Sequence, residues 1–546
     1  MQIKRLLLVC GAVFAFNAEA QEFQVPVSEA HEKMATGKYQ PTWQSLRQHK
    51  VPEWFRNAKF GIWAHWGPQC VEGTGDWMAR SMYMEGSREY KHHVEHYGHP
   101  SEFGFKDVLP LFKAENWDPD KLVEKYKKVG AQYFFVLGNH HDNFDLWDSK
   151  YQPWNAKNMG PRRDVVGEWA QAARKHGLPF GISFHADHAW TWYEPAQRYD
   201  QRGPKAGVYY DGKMTKADGK GKWWEGLDPQ DLYQQDHPMS DRSWNNGQIH
   251  SQWDWSNGAA LPSQKFVTNF YDRCLDAINR YNPDLIYFDV TVIPFHQISD
   301  AGLKIAAHFY NHNAQTHKGK ETSVMFGKIL NEEQREAITW DVERGAPNQI
   351  IDEPWQTCNC IGGWHYNTSI YENNGYKSAA TVVKQLVDIV SKNGNLLLSI
   401  PLRADGTYDD KEAKVLDELG EWMQVNKESI IGTRPWKLFG EGPVAEANIK
   451  LNAQGFNDGM YGNMTCKDIR FNQTSKYLYA TAMGWPESGQ LIIKSLAKGK
   501  SGLTRKINAV ELLGYGMIKT QQTSKGLVVN LPKPVNSIAP VLKIKK

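Results

Sequence analysis

An α/β fold, an imperfect (β/α) barrel of the TIM type followed by a C-terminal β-sandwich, is the architecture this 546-residue chain predicts. Three observations carry it. Between residues 59 and 425 short apolar runs alternate with helical periodicity, and four of those runs end on histidine or aspartate, as strands do when they open onto a shared C-terminal rim. Beyond Thr433 the helical period vanishes, and short alternating segments are separated by Gly, Pro, Asn and Lys, the texture of a small antiparallel module. The length itself exceeds one ordinary core. The predicted divisions are a signal peptide over 1–20, the barrel with a polar lead-in over 21–433, and the sandwich over 434–546.

The elements follow in order. Lys4 and Arg5 precede the apolar run Leu6 to Phe16, and Ala18-Glu19-Ala20 offers a cleavage point before Gln21, which predicts export to the periplasm or beyond in a bacterium. That run is about half the length that spans a bilayer, so no membrane span is predicted. Lys59 to Trp66 is the first strand, ended by Gly67-Pro68, and the loop from Cys70 to Gly86, which carries Trp77, is long enough to fold over a pocket. Helices are predicted over 87–97 and 118–129, a strand over 131–137, a helix over 164–176 and a strand over 178–184. Residues 189 to 262 read as an elaborated loop region. The helix 266–281 then feeds Asp284-Leu285-Ile286-Tyr287-Phe288-Asp289, a buried strand whose last carboxylate emerges at the rim. A helix over 300–315, strands over 322–326 and 337–343, a helix over 376–392, a strand over 395–400 and a helix over 412–425 complete the barrel.

Composition narrows the chemistry. The net charge is +3, with both signs interspersed and no basic run, so a nucleic-acid groove is not expected. The 22 Trp and 24 Tyr stand often beside His, Asn, Asp or Gly, a mixture that suits sugars, whose C–H faces stack while their hydroxyls demand fixed partners. Past the leader, Cys70, Cys274, Cys358, Cys360 and Cys466 are too few for a disulfide scaffold, and Cys358-Asn359-Cys360 lacks the spacing of a zinc pair.

The strand ends supply His65, His140 with His141, His185 with Asp187, and Asp289, a convergent polar cup with Asp289 as the candidate nucleophile. No catalytic metal is predicted, because adjacent residues of an extended segment such as His140 and His141 point apart. A retaining glycosidase needs a second carboxyl about 5 to 5.5 Å from the first. Asp341, Glu343, Asp352 and Glu353 are the candidates, with Arg344 placed to orient a carboxylate or a sugar hydroxyl.

The chain resembles the retaining α-L-fucosidases of glycoside hydrolase family 29 over about residues 50 to 405 and in its C-terminal β-domain. The motifs are Lys59 to Gly67, Gly138-Asn139-His140-His141-Asp142-Asn143-Phe144, Tyr287-Phe288-Asp289, Glu343-Arg344-Gly345, Trp355-Gln356-Thr357-Cys358, Trp364-His365-Tyr366-Asn367 and Gly394 to Leu398. The resemblance implies that Asp289 is the nucleophile, that His65, His140 and His141 hold fucose hydroxyls, that Trp77 closes the sugar pocket and that Arg344 lies near the catalytic centre. Trp66, His185, Asp187, Tyr287 and Trp364 complete the predicted substrate contacts. The resemblance also implies removal of terminal α-L-fucose from a glycan or small glycoside with net retention and with no metal or organic cofactor.

One departure alters the mechanism. The family usually has Trp-Glu-Thr-Cys where this chain has Trp355-Gln356-Thr357-Cys358, and that Glu is the acid/base in many members. Gln neither donates a proton as an acid nor accepts one as a base. Either another carboxyl takes the place, with Glu353 and Glu343 leading, or turnover is weak, or the Glu-to-Gln change is engineered. Smaller departures, Ser183-Phe184-His185, Tyr287 and Val290, bear on which sugar fits. Two other functions stay open: a same-fold glycosidase acting on α-L- or β-D-galactosides, and a carbohydrate-binding protein that has lost turnover.

Overall fold

The computed structural model describes residues 22–241, 255, 258–451, 455–499, 506–534 and 538–546. The predicted leader lies outside the described residues. Eight parallel strands close into a barrel in sequence order: β1 (Phe60–Ala64), β2 (Tyr133–Leu137), β3 (Phe180–Phe184), β4 (Leu285–Thr291), β5 (Val324–Lys328), β6 (Thr339–Glu343), β7 (Trp355–Cys360) and β8 (Gly394–Ser399). β1 pairs with both β2 and β8 and so closes the ring.

These strands form where buried β-branched and aromatic residues are continuous, because both faces of the barrel wall are covered. Helices pack outside. The helix Gln264–Tyr281 starts at Ser263, whose hydroxyl accepts from Phe266 N, and ends at Asn282 in a left-handed conformation, the stop that a short polar side chain tolerates. Its buried face meets the helix Ala301–Thr316 and the barrel wall. The polar lead-in is ordered along these two helices: Val27 N donates to Asp300, His31 N to Asp272 and Tyr39 N to Asn311.

The long helix Asp410–Asn426, capped by Asp409, precedes the C-terminal module. Its eight strands run from β9 (Arg434–Glu441) through β10 (Ile469–Gln473), β11 (Tyr477–Ala482), β12 (Gln490–Ile493), β13 (Ala509–Leu512), β14 (Gly516–Gln522) and β15 (Leu527–Asn530) to β16 (Val541–Lys545). All its pairings are antiparallel, in the spatial order β12-β15-β14-β13-β16-β11-β10-β9. β14 pairs with β13 through its first half and with β15 through its second, so the sheet folds over a core of its own built from Phe471, Leu478, Leu512, Leu527 and Leu542. A buried ion pair links module to barrel: Arg470 of β10 contacts Asp388 of the helix Ala379–Ser391.

One barrel strand departs from the sequence expectation. Trp355–Cys360 is β7 and not a loop. Its alternating Gln, Thr, Cys and Asn hide the apolar signature by which the other strands announce themselves. Among the described residues no helix is long and apolar enough to cross a membrane, and Cys70, Cys274, Cys358, Cys360 and Cys466 are all free.

Candidate active site

Alternate residues of a strand face the barrel axis, so the interior fills in layers. Tyr287 and Asp289 of β4, Phe326 and Lys328 of β5, Asp341 and Glu343 of β6, and Gln356 and Cys358 of β7 are successive inward pairs. The upper members, with His65, His140 and His185 just past β1 to β3, line a cavity of about 260 Å³. Trp63 from β1 and Asp76, Trp77 and Trp364 from the loops wall its sides.

Local sequence fixes each group. Asn139 Oδ1 accepts from His185 N and Ala186 N, while its Nδ2 donates to Asp145, which a buried Arg273 neutralises. This ties the ends of β2 and β3 together and aims their histidines. At β4 the register is irregular: Tyr287 pairs with Phe326 and Thr291 with Lys328, so β4 carries surplus residues around Asp289. Such a bulge re-aims a side chain at a barrel rim. Here it brings Asp289 against the last residue of β5.

That residue is Lys328. Its Nζ donates to Asp289 Oδ1 and, at 2.7 Å, to Glu343 Oε2. Two contacts to one ammonium keep the two carboxylate oxygens within roughly 5.5 Å of each other, close enough for a retaining pair and too close for an inverting one. Burial opposes ionisation of Asp289, but the Lys328 ammonium together with His141 and His185 outweighs it and holds the carboxyl well below its usual range. Burial likewise works against the Lys328 charge, and the two carboxylates more than compensate.

Burial and neighbouring imidazoles hold His65 and His140 well below the ordinary histidine value, and burial does the same for His185 despite the nearby Asp289 charge. Neutral imidazoles each present one donor and one acceptor, the complement of a sugar hydroxyl. The Gln69 side-chain amide lies 2.7 Å from His140 Nδ1 and fixes the orientation of its ring. His141 Nδ1 donates to the His185 carbonyl, and its Nε2 stands 3.4 Å from Asp289 Oδ2. His141 therefore buttresses the carboxylate from behind and does not line the cavity.

Two groups have the spacing of cation ligands: His65 with His140 and His185, and His141 with His185 and Asp289, each with donor atoms within 4.8 Å. Neither joins His140 to His141, as their adjacency in sequence anticipated. The first lines the cavity, so a cation there and a sugar would compete for one place; the second shares His185 and Asp289 with that lining but has His141 behind it.

The structure corrects several sequence expectations. Gln356 is not at the mouth. It lies a layer beneath Cys358, accepting from Tyr133 Oη at 2.9 Å and donating to Asp341 Oδ2 at 2.8 Å. Glu353 and Asp352 are exposed, and their carbonyls accept from Asn393, the residue before β8. Residues that precede a parallel strand fall on the N-terminal rim, opposite the cavity, so Glu353 is excluded as acid/base. Trp66 follows inward-facing His65 and so faces out, where its Nε1 donates to Arg403 O at 2.7 Å and its ring packs on Phe112 and Trp117. Asp187 sits in the short turn after β3 and lines a separate cavity of about 60 Å³ with His188, Trp255 and Val290. Burial and the Asp289 charge push its carboxyl well above the usual range. Arg344 turns outward with a left-handed φ of 49°, its Nε 3.4 Å from Asp458 Oδ2.

Lys328, Asp76, Trp63, Cys358 and Phe456 are cavity residues that sequence reasoning did not name. The available signal for Lys328 was its place two residues beyond inward-facing Phe326, had the strand been extended.

Gln356→Glu separates a disabled acid from a structural amide. Burial already pushes Asp341 up to about 7, so a second carboxyl beside it costs about 2 to 4 kcal/mol. The expected result is a lower thermal midpoint and no gain in turnover. A rise in kcat would return Gln356 to the chemistry.

Residues 27–428 match the family described as alpha-L-fucosidase, and residues 463–545 match the alpha-L-fucosidase C-terminal domain. The tissue alpha-L-fucosidase of Rattus norvegicus is 25% identical over 92% of this chain and 90% of its own length. The plasma alpha-L-fucosidase of Homo sapiens is 25% identical over 91% and 89%. Among solved structures, the Thermotoga maritima alpha-fucosidase in complex with fucose aligns with a TM-score of 0.63 at 23% identity, covering 93% of this chain and 100% of that one. A trapped covalent intermediate of a Bacteroides thetaiotaomicron alpha-L-fucosidase aligns at 0.57 and 16% identity, over 96% and 99%. With a family match that spans the whole barrel and a second over most of the C-terminal module, this chain belongs to the alpha-L-fucosidase family.

Proposed function

We propose that this protein is an exo-acting retaining glycosidase that removes terminal α-L-fucose from glycans by double displacement, with Asp289 as nucleophile and Glu343 as acid/base. The observation that carries the reading is one ammonium, Lys328, joining those two carboxylates in a cavity of about 260 Å³, room for one sugar ring. Export, on the leader sequence alone, is part of the proposal.

Asp289, kept anionic, attacks the anomeric carbon while Glu343, which takes up a proton from solvent before the bond breaks, passes it to the departing oxygen. Ester formation removes the Asp289 charge. Lys328 is then left to balance Glu343 alone, now a carboxylate, which takes a proton from the water that hydrolyses the ester. His65, His140 and His185 exchange hydrogen bonds with the hydroxyls, and Trp63, Trp77 and Trp364 offer faces to the C–H surfaces. The binding-protein alternative rested on Gln356, and its position inside the barrel removes that ground.

The test is hydrolysis of aryl α-L-fucoside, α-L-galactoside and β-D-galactoside, with the first-formed anomer followed by NMR. The fucoside is expected to lead, with α-L-fucose appearing first. Initial β-L-fucose or an absence of turnover would overturn the proposal.

Lys328→Met adds a pH signature. The nucleophile works only above its own pKa. Without the ammonium, burial dominates and that pKa rises, so the acidic limb of kcat/KM moves to higher pH, by at least about one unit. An unmoved limb would show that Lys328 does not hold Asp289 ionised.

A further inference from the structure

We infer that Phe456, brought to the barrel mouth by the chain that runs from β9 into the rest of the C-terminal sheet, is a stacking platform for the sugar from which fucose is released. The inference rests on the reading of Glu343 as proton donor and assigns the neighbouring subsite.

Residues 455 to 458 are clamped onto the end of β6. Gly455 bridges Glu343 in parallel, and a Cβ on that glycine would stand 1.9 Å from the Glu343 carbonyl oxygen, so only glycine permits the approach. Phe456 N donates to the same carbonyl at 2.8 Å, Asn457 exchanges two hydrogen bonds with Ala346, and Asp458 N donates to Arg344 O. Asp458 also receives Arg344 Nε at 3.4 Å, with Lys377 Nζ at 3.3 Å. The segment is thus held from both backbone and side chains.

Phe456 itself has φ of 56°, a strained conformation for a bulky residue. A fold that merely needed to cover apolar surface would bury the ring. Instead 45% of the residue is exposed while it lines the cavity, its ring 5.9 Å from the Arg344 guanidinium. The side is set by chemistry. Glu343 protonates the oxygen that leaves, and Phe456 is anchored on the carbonyl of Glu343, whereas Trp63 and Trp364 pack at an angle around His65 on the fucose side. An aromatic face beside the proton donor therefore meets the leaving sugar.

The experiment compares kcat/KM for α-L-fucosyl disaccharides and α-L-fucosyl fluoride in the unaltered protein, Phe456→Ala and Phe456→Trp. Fluoride has no face to stack, so it reports folding and the fucose subsite alone. Phe456→Ala is expected to lose about tenfold on at least one disaccharide and less than twofold on the fluoride, with Phe456→Trp restoring the disaccharide rate. Equal losses on both substrates, or undiminished disaccharide rates, would overturn the inference. Inactivity of the unaltered protein on the fluoride would overturn the fucosidase reading, and this inference with it.

Discussion

Asp289→Ala is expected to lower kcat on an aryl α-L-fucoside by about 10⁴-fold or more, since it deletes the atom that bonds to the anomeric carbon. The side chain is partly open to the cavity, and its partners are Lys328, His141 and His185. Removing it leaves Lys328 paired with Glu343, so the fold survives and the loss is chemical. Added azide distinguishes the cause: entering the vacated space, it attacks directly and gives β-L-fucosyl azide, with inversion. A modest loss, or no azide product from a folded variant, would move the nucleophile elsewhere.

Glu343→Ala is the second large effect, and its size depends on the leaving group. Substrates that need protonation, such as fucosyl disaccharides, are expected to lose about 10³-fold or more in kcat/KM. An activated aryl fucoside still forms the ester at a useful rate, but the ester then lacks a base and accumulates, so kcat falls and KM falls with it. Azide needs no base and rescues turnover, producing α-L-fucosyl azide by a second inversion. Uniform losses across leaving groups would show that Glu343 shapes the site without moving the proton. The two variants thus give azides of opposite configuration, which a merely structural role for either residue would not.

The fold and the polar cup were legible because strand ends announce themselves. An apolar run that stops on His65, His140, His185 or Asp289 carries both its position and its chemistry in the sequence. The proton donor was harder. Glu343 and Glu353 look alike as neighbours of apolar runs, and only the recognition of β7 as a strand puts them at opposite ends of the barrel. β7 escaped because its inward face is polar, with Gln356 hydrogen-bonded inside the barrel and Cys358, one layer higher in the cavity lining, donating to Asp341. Lys328 was missed for a related reason: a lysine after an apolar strand reads as a solvated end, and its burial follows from two carboxylates contributed by β4 and β6. Phe456 depends on a contact between Gly455 and Glu343, remote in sequence, which periodicity does not encode. Trp66 and Asp187 were assigned by proximity to His65 and His185, and strand alternation and a short turn carry them away from the cavity those histidines line.

The most direct test is to inactivate the protein with 2-deoxy-2-fluoro-α-L-fucosyl fluoride, digest it and locate the added sugar by mass spectrometry. The mechanism requires one fluorofucosyl group, attached as an ester within the peptide that contains Asp289. A label on another carboxylate, or complete turnover without any trapped ester, would contradict it.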